Sequence, residues 1–384
     1  MITNPPQQRA LRGHRPARPT PRLAASGAHL ARLAGNLTPR DRWLARMLYT
    51  YRVFTTHQIV QLAWPTARAA NLRLLQLFKW RVIDRFQPFI TTGSAPMHYV
   101  LDVAGAAILA REDGLEPNAL AYRHDRAIGI AHSLRLTHTV GTNSLFTSLV
   151  HRARQSASTE QLTAWWPETR CAQHFGDIVR PDGYGRWHDR NTGSIEWFVE
   201  YDAGTEPLAK LAGKLLDYHR LALTSGITTP VLIWLPTARR EANARTALAG
   251  MQASLEDPAL VPVATTSADY VPGGQKDFAS ARWLPLESRR IAVRLPLAEL
   301  GHVWTHLPPL PHSSHTPAAQ GTTGLRPPSP HPPTTGSSRN CPRQIDRTPA
   351  PERSRAGVRC CRRGVRPGVG DDLSACLLCV FLSD

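Results

Sequence analysis

The chain has 384 residues, with 46 Lys and Arg against 29 Asp and Glu, and a formal charge of +17. Its length suits two domains with tails, and an apolar content of 42% is enough to bury a core, so wholesale disorder is excluded. No run of about 18 apolar residues occurs, and the Arg- and Pro-rich start has neither the apolar stretch of a secretory signal nor an amphipathic helix; no membrane association is expected, and the location expected is the cytoplasm.

Residues 1–36 carry six Arg and no acid, and read as a disordered basic arm. A helix start follows, with Thr38 as N-cap, Pro39 at the first helical position and Asp41 in the first turn. Trp43, Leu44, Met47, Leu48 and Tyr51 then give one apolar face. Thr55 or Thr56 caps a second helix, which Pro65 stops. A third runs from about Thr66 to Trp80, with Leu72, Leu75 and Phe78 expected to face inward. Two extended runs, Val82–Phe86 and Met97–Leu101, flank Thr92-Gly93-Ser94 and read as a hairpin; a helix over 103–111 closes the unit.

Three helices, a hairpin and a helix make the order of a winged helix-turn-helix, expected over 37–115. Its third helix enters the major groove of double-stranded DNA in such modules. Arg68, Asn71, Arg73, Gln76 and Lys79 are the candidate contacts, because Arg pairs with guanine and Asn or Gln with adenine. A pI near 10.5 agrees with a polyanionic partner. The next helix, about 131–154, carries His132, His138 and Asn143 among apolar positions, read as ordinary polar groups.

An α/β rhythm follows. A strand is expected near Arg170–His174, another over Asp177–Asp182, a polar turn over Gly183–Gly193, and a strand over Ile195–Asp202. Glu206-Pro207 opens a helix through Leu208, Leu211, Leu215 and Tyr218, and Pro230–Leu235 reads as a buried strand. Arg239–Met251 suits a helix, and Trp283–Leu286 and Ile291–Leu297 suit either an edge strand or packing on the core.

Pro181-Asp182, 17 intervening residues, then Glu200-Tyr201-Asp202 resembles the core of the PD-(D/E)XK nucleases, expected over 125–300. The resemblance implies that Asp182 and Glu200, with Asp202 beside them and the Tyr201 carbonyl, hold Mg²⁺ or Mn²⁺ for endonucleolytic hydrolysis of DNA. Hard cations take oxygen ligands, and a phosphodiester needs its developing charge neutralised. Asp202 stands where the superfamily usually has Lys. Lys210 and Lys214 on the following helix are therefore the candidate catalytic cations, with Glu168 as a further acid. Only four of the 46 basic residues are Lys, and two fall in this helix.

The whole layout, Trp-Pro-Glu168, Pro-Asp182, Phe-Val-Glu200-Tyr-Asp202-Ala-Gly-Thr-Glu206 and Lys210-x-x-x-Lys214-Leu-x-x-Tyr218, resembles the replication-relaxation family of actinobacterial plasmid and mobile-element proteins. It implies plasmid DNA as partner, together with replication or transfer proteins and self-association. The alternative is a non-enzymatic DNA-binding accessory protein or transcriptional regulator on an inactive nuclease fold. No Gly-x-x-x-x-Gly-Lys-[Ser/Thr] occurs, since Gly213-Lys214 precedes Leu215, which argues against a P-loop ATPase. Residues 307–384 are Pro- and Arg-rich and expected to be disordered; Cys376-x-x-Cys379 has zinc-ligand spacing, but Cys360-Cys361 lacks the two-residue gap of a second pair.

Overall fold

Side-chain caps set the first helices. A computed structural model describes residues 18–116, 120, 122–155, 158–271, 277–286, 293–307 and 325–333, which include the second half of the expected arm. Thr20 caps α1 (Pro21–Ala24) and Ser26 caps α2 (Gly27–Asn36). Leu30 and Leu33 are buried, and His29 Nε2 meets the Trp80 carbonyl at 3.0 Å. The arm reading therefore fails for 18–36, because those apolar residues find a partner surface.

Capping boxes open α3 (Pro39–Tyr51), from Thr38 with Asp41, and α4 (Thr56–Ala63), from Thr55 with Gln58. The strand β1 (Phe54–Thr55) lies between them. Thr66 caps α5 (Ala67–Lys79), and β2 (Ile83–Phe86) and β3 (His98–Leu101) form the hairpin. The sheet order is β1-β3-β2, and α6 (Val103–Glu112) follows. Together these elements form a helical head. Of the residues expected to face inward on α5, Phe78 is buried with Ala70, Leu74 and Leu77 and Leu75 is half-buried, but Leu72 is 65% exposed. The positions at 70, 74 and 77 keep helical phase; Leu72 falls outside it.

After α7 (His124–Gly129), α8 (Leu136–Ala153) crosses beneath a six-stranded sheet, ordered β4-β5-β6-β7-β8-β9. β4 (Glu160–Pro167), β5 (Gly183–Asp189) and β6 (Gly193–Tyr201) form an antiparallel meander. α10 (Leu208–Ser225) then crosses to β7 (Val231–Leu235), and α11 (Ala238–Ala253) to β8 (Val263–Ser267), both parallel to their predecessors. β9 (Leu284–Pro285) closes the edge antiparallel to β8. The chain is thus a mixed α/β protein.

The expected strand at 170–174 is instead a helix, α9 (Glu168–Phe175). Pro167 stands at its N-cap, Glu168 sits in its first turn, and Cys171 turns into the core. Residues 177–182 form an irregular approach, and the strand begins at Gly183, inside the expected turn. The glycines are there for space. A Cβ on Gly185 would lie 2.4 Å from Trp197 Cζ2 and 2.9 Å from Phe146 Cε1.

One continuous core joins the head to the sheet through Tyr51, Phe146, Trp165 and Trp197. Part of the Pro-rich tail also adds to it. Leu325 packs on this core, Trp43 Nε1 donates to the Ser329 carbonyl at 2.8 Å, and His331 Nε2 meets the Leu162 carbonyl at 3.0 Å. The tail cysteines lie outside the described residues. Replacing Gly185 with Ala is expected to cost about 1–3 kcal/mol by overpacking, read as a lowered urea midpoint at unchanged slope.

Candidate functional site

Strand β6 carries Glu200 into the interior, where it is 2% exposed. An isolated buried carboxylate is costly, so both oxygens are paired. Lys214 Nζ donates to Oε2 at 2.7 Å, and the Tyr218 hydroxyl donates to Oε1 at 2.5 Å. These donors are four residues apart on α10 and therefore share one helical face. Lys214 also reaches Glu206 at 3.6 Å.

Asp182 precedes β5, and its backbone N–H bonds to the Val199 carbonyl on β6 at 3.1 Å. Its Oδ2 accepts from the Tyr201 backbone N–H at 2.8 Å and meets His138 Nε2 at 2.9 Å. His138 projects from α8, and its ring stands edge-on to Tyr201 at 5.6 Å. A Cβ on Gly141 would sit 2.1 Å from the Tyr201 ring, so only a glycine there lets α8 approach this strand end.

Burial is the larger cause that raises the Glu200 carboxyl, with the neighbouring Asp182 charge second; together they outweigh Lys214 and push it up to about 7. Burial opposes charge on Lys214, but Glu200, Asp182 and Glu206 outweigh it and raise its pKa. Lys214 thus stays an ammonium beside a carboxylate of high proton affinity. Burial likewise opposes charge on His138; its bond to Asp182 and the charges of Asp182, Glu168 and Glu200 reverse the balance and raise it. Burial pushes the Cys171 thiol up to about 12, so it stays inert.

The other candidate residues disperse. Asp202 accepts from Arg240 Nε and Nη2 and from the Gly204 backbone N–H. It does not join Asp182 and Glu200, because the strand ends at Tyr201 and α11 supplies an arginine beyond it. Lys210 is largely exposed and pairs with Glu206 at 3.1 Å. Glu168 pairs with Arg135 at 3.2 Å on the rim of a cleft of about 150 Å³, whose wall includes His138 and Asp182. In the head, Arg68, Asn71 and Lys79 are exposed and Gln76 half-buried. Arg73 is engaged: its Nε donates to Asp41 Oδ1 at 2.9 Å, its Nη2 to the Asn36 carbonyl at 2.9 Å, and its guanidinium lies 5.2 Å from the Trp80 ring centre.

Residues 46–232 match the replication-relaxation family. The matched segment, just under half of the chain, runs from within α3 into β7 and contains His138, Asp182, Glu200, Lys214 and Tyr218. The match supports a role in replication or relaxation. No curated protein and no solved structure matches the chain. No helix among the described residues is long and apolar enough to cross a membrane.

As arranged, the expected cation ligands do not form a cage. Both Glu200 oxygens, both Asp202 oxygens and Asp182 Oδ2 already hold protein donors. Only Asp182 Oδ1 takes no hydrogen bond from the described residues, whereas Mg²⁺ seeks octahedral oxygen coordination. The only trio of carboxylate and imidazole ligand atoms within 4.8 Å of one another among the described residues is Asp84, Asp102 and His124. Arg18 and Arg81 already bond to that trio's carboxylates, so it is an ion-pair knot.

His138 escaped the sequence reading because its partner Asp182 is 44 positions away. Lys214 and Tyr218 were legible from their spacing. The raised Glu200 carboxyl has a consequence for stability. Its pKa is 4.5 unfolded and about 7 folded, so the native state binds more protons between those values. Stability should therefore fall as pH rises from about 4.5 to 7, by at most about 1.4 kcal/mol per pH unit. In Glu200→Gln that component should vanish, which urea melts across this range in EDTA would measure.

Proposed function

We propose that the chain is a DNA-binding protein acting in replication or relaxation of plasmid or other mobile-element DNA. A winged helix locates the duplex, and a PD-(D/E)XK-like half holds its backbone. The observation that carries this reading is the order and pairing of elements. The head runs helix, strand, helix, helix, hairpin with sheet order β1-β3-β2. The second half runs α8, β4, α9, β5, β6, α10 and parallel β7, with β4-β5-β6 an antiparallel meander, and this supports the nuclease-like reading. Asp182 just before the meander's second strand and Glu200 on its third bring two acids to neighbouring strands, the arrangement that the resemblance implies.

On α5, Arg68, Asn71 and Lys79 offer phosphate and base-edge donors. Exposed Leu72 lies among them, suited to the methyl group of thymine. The internal pairing of Glu200 with Lys214 favours a non-enzymatic grip on DNA over catalysis. A second reading, metal-dependent phosphodiester hydrolysis, is favoured by Asp182, whose Oδ1 takes no hydrogen bond from the described residues on a carboxylate lining the cleft.

Supercoiled plasmid separates the two, scored for mobility shift and topology on the same samples in Mg²⁺ or Mn²⁺. A salt-sensitive shift without nicking is expected. Arg68→Ala combined with Lys79→Ala should weaken it roughly tenfold. Metal-dependent nicking lost in both Asp182→Ala and Glu200→Gln would establish the hydrolytic reading; absence of any shift would sink the DNA-binding one.

A further inference from the structure

Arg52 is an odd residue at a demanding corner. It follows α3 with φ 72° and ψ −49°, outside the regions that side-chain-bearing residues favour. The corner is enforced from both sides: Asn143 Nδ2 donates to the Tyr51 carbonyl at 3.2 Å and to the Val53 carbonyl at 2.8 Å. Glycine would fill such a corner without steric strain, whereas another residue carries about 1–3 kcal/mol of it. Yet the Arg52 side chain is exposed and makes no hydrogen bond or ion pair with any described residue. Its guanidinium gives nothing to the fold.

Arg52 lines the cleft between the head and the sheet, with Arg135 and Arg180. Arg135 is two-thirds exposed, and its pair with half-exposed Glu168 is of the surface kind, worth about 0–1 kcal/mol and readily exchanged. Arg180 is exposed and uses only Nε, on the Gly176 carbonyl at 3.3 Å. Asp182 and Glu168 are the carboxylates of the lining, and His138 the imidazole. Three guanidinium groups therefore exceed two carboxylates even with His138 neutral. The cleft, about 150 Å³, is well below the roughly 300 Å³ at which small-molecule pockets begin, so it suits one phosphate group better than a whole nucleotide.

We infer that this cleft seats one phosphodiester of the DNA backbone, gripped by Arg52, Arg135 and Arg180 and presented to the His138–Asp182 pair. The inference rests on the DNA-binding reading and adds a second contact, remote from α5. Guanidinium forks match phosphate oxygens in geometry as well as charge. Strain kept at Arg52 is then explained by function, since the corner aims a cation into the cleft.

The test is fluorescence anisotropy of labelled duplex and single-stranded DNA with the full chain across a salt series, with pyrophosphate as competitor. Arg52→Gln combined with Arg180→Gln should bind about tenfold more weakly, with a salt slope shallower by about one. Arg239→Gln, an exposed arginine outside the cleft lining, should change nothing. Arg52→Gly separates grip from structure: it should raise the melting temperature by relieving the corner while weakening DNA binding. Displacement of DNA from the wild-type chain by pyrophosphate well below the concentration needed for the double variant would support the inference, whereas pyrophosphate that raises the melting temperature of the wild type but not of the double variant without displacing DNA would assign the cleft to free phosphates and overturn it. So would wild-type affinity and slope in the double variant while Arg68→Ala still weakens binding, leaving the DNA-binding reading intact. No binding by the wild-type chain would overturn both.

Discussion

The structure depends on an aromatic weld between its two halves. Tyr51 at the end of α3 stacks on Trp165 of β4 at 3.9 Å, and Trp165 on Phe146 of α8 at 5.0 Å. The Tyr51 hydroxyl donates to the Trp165 carbonyl at 2.8 Å, so its one polar group is satisfied inside the stack. Phe146 continues toward Trp197 on β6, and Gly185 leaves the room between them. Removing any ring would open a cavity shared by head and sheet. The corner at Arg52, the cleft beside it and the placement of His138 all follow from this contact, because Asn143 and His138 ride on the same helix as Phe146.

Charge is used inside the protein as much as on it. Asp41 takes Arg73, Asp102 takes Arg18 and Arg81, Asp202 takes Arg240, Glu241 takes Arg294 and Glu200 takes Lys214. Each of these acids is buried, and each would be costly alone. Arg282 is enclosed without an acid; it donates to Thr266 and to the Ser267 and Tyr270 carbonyls and lies 4.3 Å from the Trp234 ring centre. Burial lowers its pKa to about 10. Acids and bases paired in this way cancel within the formal charge of +17, so the surplus that faces a polyanion is carried by other side chains. What remains exposed at α5 and the cleft is more informative than the total.

Capping chemistry made the head legible in the sequence. Thr38, Thr55 and Thr66 each cap a helix close to where their spacing places it, and the Val82–Leu101 hairpin follows. The sheet was half legible. β6 and β7 alternate or run apolar, but β5 hides behind Gly183 and Gly185, whose absent side chains make room for rings 12 to 39 positions away. β8 reads Val-Ala-Thr-Thr-Ser and is buried throughout, its two threonine hydroxyls taken by Arg245, Glu241 and Arg282. Of the site, the spacing of Asp182, Glu200, Lys214 and Tyr218 was visible because strand and helix periods fix it. His138, Arg52 and the diversion of Asp202 to Arg240 are tertiary facts, with no local signal.

The segment at 325–333 has a consequence for how the chain folds. Its bond from Trp43 to Ser329 joins residues 286 positions apart, and that from His331 to Leu162 spans 169. Closing such a long loop adds little free-energy cost beyond that of a medium one, but its landing surface must already exist. That surface is made of α3 and β4, which meet through the stack of Tyr51 on Trp165. The strap is thus among the last elements to dock in folding and, resting on few contacts, among the first to leave under mild denaturant. Trp43, covered by it, is a built-in reporter: its fluorescence should shift ahead of global unfolding.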